Sequence, residues 1–200
     1  MNLKPAEKNF WEWFQNNQKM LKNFENDQEN VLEQLVDELK KVHEDLTFEM
    51  SSKKENGKRD FVISADGIIS AFPHVDALCC AAPDFEDWDI IKFRPRRNID
   101  HSIKLGDRDI SYKDVHFLLY PDDKLKVGIV LYIKGFNESE FNIFANIGFL
   151  FLDLILGEYD VETKAGHIDF ESTESKDFKK AKPLINLAAE FDELYSAITN

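Results

Sequence analysis

Residues 115–133, VHFLLYPDDKLKVGIVLYI, decide how this chain folds. Val115, Phe117 and Leu119 alternate with His116, Leu118 and Tyr120. Val127, Ile129, Leu131 and Ile133 take up the same period on the far side. Side chains of a strand point to alternate faces, so this period predicts two half-buried strands. Between them stands Pro121-Asp122-Asp123-Lys124, where proline presets φ for a turn and aspartate bonds its own backbone. The stretch predicts a β-hairpin.

The same period recurs upstream. Leu46, Phe48 and Met50 alternate with polar residues, Glu55-Asn56-Gly57-Lys58 supplies a turn, and residues 60–65 return. Residues 68–82 read as helix, with Pro73 suited to a first helical turn, and Pro83 with the acidic loop 84–87 closes it. Residues 88–93 form a further strand, halted by Pro95; being apolar on both faces, it is expected inside a sheet. Weaker strand signals surround Ile103 and Ile110.

Downstream of the hairpin, Asn137 and Glu140 have capping-box spacing, and residues 141–156 are apolar nearly all round. A helix without a polar face is expected to be buried on nearly every side. Its sixteen residues fall short of the roughly 20 a membrane span needs. Gly157 suits its C-cap. A strand is expected over 161–170 with a bulge at Gly166, then a charged loop. Pro183 leads into a terminal helix on which Leu187, Phe191 and Leu194 share a face.

Before the first strand, residues 1–45 predict a helical arm of two helices. Phe10, Trp13 and Phe14 line one stripe, Asn26 and Glu29 have capping-box spacing, and Val31, Leu32, Leu35, Val36, Leu39, Val42 and Leu46 recur at helical spacing in the second helix. The whole reads as one α+β domain over 1–200, with a body at 46–200. The expected body is a mostly antiparallel sheet of five to seven strands with helices on one face. No sequence repeat of 20–50 residues and no low-complexity linker is visible.

Composition narrows the function classes. The net charge of −13 speaks against nucleic acid, whose phosphates require clustered cations. It serves solubility, or it draws a basic protein partner. The adjacent Cys79 and Cys80 cannot staple a fold, and an apolar helical setting predicts buried, free thiols. The N-terminal stretch lacks the apolar core of a signal peptide, so a cytoplasmic protein with no membrane contact is expected.

Against the acidic background, Lys92, Arg94, Arg96 and Arg97 stand within six residues. Guanidinium forks grip phosphate or carboxylate in pairs, which makes Arg94, Arg96 and Arg97 a candidate anion site. Alternatively they pair with nearby acids such as Asp87, Asp89 or Asp100. His43, His74, His101, His116 and His167 lack metal-ligand spacing, so no metal and no cofactor is expected. Glu158, Asp160, Glu162, Asp169 and Glu171 are candidate carboxylates without a motif, and no residue reads as catalytic. Trp11 points away from the aromatic stripe and is the candidate partner anchor.

Three blocks resemble, taken together, a family of small uncharacterised bacterial proteins: FVISADGIISAFPHV at 61–75, WDIIKFRPRR at 88–97 and GEYDVETKAGHIDF at 157–170. The resemblance implies a bacterial cytosolic domain and carries no catalytic residue over. The expected function is a non-enzymatic protein-binding or regulatory module, of the immunity-protein kind by analogy. The rival is an enzyme or small-ligand binder that uses the arginine cluster on an anionic substrate.

Overall fold

The computed structural model describes residues 5–200; the first four residues of the expected arm lie outside it. The chain is α+β and divides into two compact units, Met1–Arg94 and Pro95–Asn200, each with its own hydrophobic core.

The first unit opens with α1 (Pro5–Asn16), α2 (Gln18–Leu21), a tight turn at Phe24–Asn26 and α3 (Gln28–Lys40). Val31, Leu35 and Leu39 recur every four residues on α3 and are buried. The expected capping box does not form: α3 starts after Asp27, and Asp27 accepts from the Asn30 side chain instead. Then β1 (Thr47–Met50) and β2 (Arg59–Ser64) pair antiparallel, with Phe48 opposite Ile63. Gly57, at φ 85°, makes the turn between them possible. Next comes α4 (Phe72–Cys80), with proline in its first turn, and β3 (Trp88–Lys92) lies parallel to β2. Phe10, Phe14, Leu35, Val75 and Leu78 from the helices share one core with Phe61, Ile63 and Trp88 of the sheet. The helices expected as an arm are thus part of this unit's core.

In the second unit, β4 (Ser102–Leu105) and β5 (Arg108–Ser111) form a small hairpin. The hairpin read from 115–133 follows as β6 (Val115–Asp122) and β7 (Lys126–Ile133), with Val115 opposite Ile133. After it come α5 (Phe141–Leu156), α6 (Glu158–Lys164), β8 (Ala165–Ser172), β9 (Lys182–Pro183) and α7 (Leu187–Thr199). The sheet order is β8-β7-β6-β9. Phe144, Ile147 and Phe151 of α5 and Leu187 and Phe191 of α7 pack on Val115, Phe117 and Leu131.

Among the described residues, the expected sheet of five to seven strands is replaced by three sheets of three, two and four strands. The reason is connectivity: α4 links β2 to β3, and α5 with α6 links β7 to β8, and both pairs are parallel. A helical crossover returns the chain in the same direction, so it makes a parallel neighbour where a tight turn would make an antiparallel one. Both units therefore repeat one wiring: a hairpin, a helical link, and a third strand parallel to the second. By the same route β3, expected inside its sheet, is an edge strand, since no later strand of its unit covers it.

Two boundaries also move. The strand expected from 161 begins at Ala165, because Glu158–Lys164 is helical; the register shift expected at Gly166 is present. Gly157 ends α5 with φ 77°.

Candidate interaction surface

The arginine cluster begins where β3 ends at Lys92. Phe93 has φ 61°, while its N–H donates to the Ile63 carbonyl at 2.8 Å and its ring packs on Phe72, centroids 4.5 Å apart. A bulky residue rarely takes that conformation, so packing holds it there. The chain accordingly turns at Phe93, two residues ahead of Pro95, where the sequence predicts the strand to halt.

Lys92 pairs with Asp76 at 2.7 Å. Arg94 belongs to the first unit, where Nε donates to Glu49 at 2.8 Å and Nη1 to Asp66 at 2.7 Å. Arg96 belongs to the second. Its guanidinium donates to both Asp192 oxygens, at 2.7 and 2.8 Å, and to Asp160 at 2.5 Å. Its Nε donates to the Leu156 carbonyl at 2.9 Å. Hydrogen bonds from Arg96 hold the Asp192 carboxyl below its usual range, and those to Asp192 hold the Arg96 guanidinium above its own. Arg97 donates its backbone N–H to the Leu154 carbonyl at 2.6 Å. The partners are not the acids nearest in sequence: Asp87 pairs with Lys22, and Asp89 with Lys54 and Lys58. Arg94 and Arg96 thus each grip two carboxylates, in different units.

Trp11 is core. It is 3% exposed, its indole N–H donates to the Leu78 carbonyl at 2.8 Å, and its ring meets Phe10, Phe14, Phe61 and Phe85. Of the expected stripe, Phe10 and Phe14 are buried and Trp13 only half-buried, while Trp11 is buried with them, because α4 also packs against this core.

The histidines are scattered. The His43 and His74 rings lie 4.1 Å apart, His167 pairs with Asp169 at 3.0 Å, and His116 stands beside Phe178. Among the described residues, no group of three or more His, Cys, Asp and Glu could hold a metal ion. Of the carboxylates on α6, Asp160 is shared by Arg96 and Lys164. Burial, and then the neighbouring Glu158, push the Glu162 carboxyl up.

The surface that sequence reasoning missed is on α5. Its core side is as expected, with Phe144, Ile147, Phe151 and Leu152 buried. Its other side is open: Phe149 is 40% and Leu150 45% exposed, beside the exposed Asn142 and Asn146. Phe141, 44% exposed, opens the helix. The rings of Phe149 and Phe141 both meet Phe170 of β8 edge-on, with centroids 5.2 and 6.2 Å apart. Asn142, Asn146 and Asp153 fall four and seven residues apart and mark this side; that spacing was the available signal. With the tight turn before it, the apolar stretch Glu138–Leu156 is 19 residues, long and apolar enough to cross a membrane by length and composition alone. Of an 18-residue window within it, 44% is buried inside the protein.

Comparison of the chain with family models, with curated proteins and with solved structures finds no match.

Proposed function

We propose that this chain is a non-enzymatic protein-binding module whose docking face is the open side of α5. The observation that carries the reading is the exposure of Phe149 and Leu150 on a helix whose opposite side is the core of its unit. Aromatic and aliphatic anchors on a rigid element supply most of the energy of a protein interface. Asn142 and Asn146 beside them offer amides that form direct hydrogen bonds without carrying charge into the contact. Asp153, on the same side, and the net charge of −13 favour a basic partner, whose approach the field of the chain accelerates. The resemblance to small bacterial proteins agrees with a cytosolic binding role, of the immunity kind by analogy. The arginine reading has less support, because Arg94 and Arg96 already hold carboxylates that an anionic ligand would have to displace.

Co-purification from bacterial cells tests the reading. The native chain should bring down a basic protein in fixed proportion, and Phe149→Ser with Leu150→Ser should release it. A native chain that elutes alone, or a complex that survives both substitutions, overturns it.

A further inference from the structure

The second unit holds a sheet edge that is left open in its middle. β9 is two residues long and covers β6 only at His116 and Phe117, opposite Pro183 and Lys182. From Leu118 onward no strand lies on that side of β6 among the described residues. Nor, among the described residues, does any turn or loop backbone group bond to Leu118, Leu119 or Tyr120 from that side. Every second residue of a strand turns its N–H and C=O to a given side, so this edge presents backbone donors and acceptors.

A cavity of about 350 Å³ runs along this edge. It touches Phe117, Leu118 and Leu119 on one wall, and Glu193, Leu194 and Ala197 of α7 on the other. Consecutive strand residues point to opposite faces, so a cavity that touches three in a row runs along the backbone edge. The other long edge, β8, carries Asp169 and Glu171, charges that discourage pairing. The β6 edge has Leu118 and Leu119 there instead. Pro121, which has no N–H, limits it beyond Tyr120.

We propose that this groove takes up an extended segment of a partner protein as an added strand, continuing the line of β9. An extended chain is the occupant whose backbone matches an open strand edge, and the α7 wall supplies contacts for alternate side chains. Charge selects among such segments. Lys182 is taken by Glu190 at 2.5 Å and Lys180 by Asp177 at 2.8 Å. Glu193, exposed on the groove wall, has no ion-pair partner among the described residues. The segment therefore places a Lys or Arg against Glu193 and a small apolar side chain against Leu194 and Ala197. This site is separate from the α5 face, and its test reads β6 alone.

The test is amide hydrogen exchange of the full chain, read residue by residue, with a synthetic peptide of alternating Thr and Val around one central Arg. At a peptide concentration about ten times its dissociation constant, groove-facing amides within Leu118–Tyr120 should exchange about tenfold more slowly. The same peptide N-methylated at alternate residues, or with Glu in place of Arg, should leave them unchanged. Ala197→Trp should fill the groove and abolish the protection, and Glu193→Arg should transfer it from the Arg peptide to the Glu peptide. No protection by the Arg peptide overturns the proposal, as does equal protection by the N-methylated one. Protection that appears without peptide as the protein is concentrated also overturns it, since a second copy would then be the occupant.

Discussion

Gly148 and Phe170 meet where α5 lies against β8, and a methyl group on Gly148 would overlap the Phe170 ring. The glycine is buried and helical, with no unusual φ, so it is there for space. The ring it admits is the one against which Phe149 and Phe141 stand edge-on. Gly148→Ala therefore sets two effects against each other. Alanine should stabilise the helix by about 1 kcal/mol. Overpacking against a seated ring costs about 1–3 kcal/mol. The expected outcome is net destabilisation, seen as a lower urea midpoint, and Phe170→Leu in the same chain should restore part of it. A Gly148→Ala variant more stable than the native chain would show that Phe170 is free to move.

The two sides of α5 should respond differently to truncation. Leu152→Ala and Phe144→Ala, in the core, should each cost about 2–5 kcal/mol. Leu150→Ala, two residues away on the open side, should stay within about 0.5 kcal/mol. Equal losses in a urea titration would mean that Leu150 is as buried as Leu152.

Acid should act on Arg96 and Asp192. The Asp192 carboxyl is held below its usual range by hydrogen bonds from Arg96. A depressed folded pKa contributes stability above the unfolded value, about 3.9, and that contribution is lost as pH falls through the folded value. The native chain should therefore lose stability more steeply below about pH 4 than Asp192→Asn, which has no proton to take up. Parallel curves of urea midpoint against pH would remove the pair from the acid response.

The cysteines should separate in reactivity. Burial pushes the Cys79 thiol up to about 12, while Cys80 is exposed. The sequence predicts two buried, free thiols. The structure exposes one of them and brings Lys92 close enough to Cys79 to act against its burial. Alkylation at pH 8 should show one fast group, removed by Cys80→Ala, and one slow group, removed by Cys79→Ala. A fast group that survives Cys80→Ala would contradict this.

These cysteines show what a sequence yields and what it withholds. The 115–133 hairpin was legible because its two strands are neighbours in sequence, but its turn was not placed: Pro121 and Asp122, expected to turn, extend β6 opposite Val127 and Lys126, and the chain reverses over Asp123–Leu125. Pro73 in the first turn of α4, Gly157 at the end of α5 and the shift at Gly166 were legible for the same reason. The parallel pairs were not, since alternation shows which face a residue takes and says nothing of which strand lies beside it. That choice placed β3 at an edge, Lys92 near Cys79, and Glu49 and Asp66 on Arg94. Trp11 shows the same limit: its neighbour Leu78 lies 67 residues away. On α5 the polar spacing of Asn142, Asn146 and Asp153 was visible, but Phe149 and Leu150 beside them looked like more core.

The central claim is that the open side of α5 serves a partner and is not needed for folding. The most direct measurement places a photo-cross-linking side chain at Asn146, in the middle of that side, in the full chain expressed in bacterial cells. The account predicts one discrete adduct with a basic protein. That adduct should vanish when Phe149→Ser and Leu150→Ser are added, while the doubly substituted chain still unfolds in one cooperative urea transition and is less stable by no more than about 3 kcal/mol. No adduct, or an adduct undiminished by the two substitutions, would contradict it.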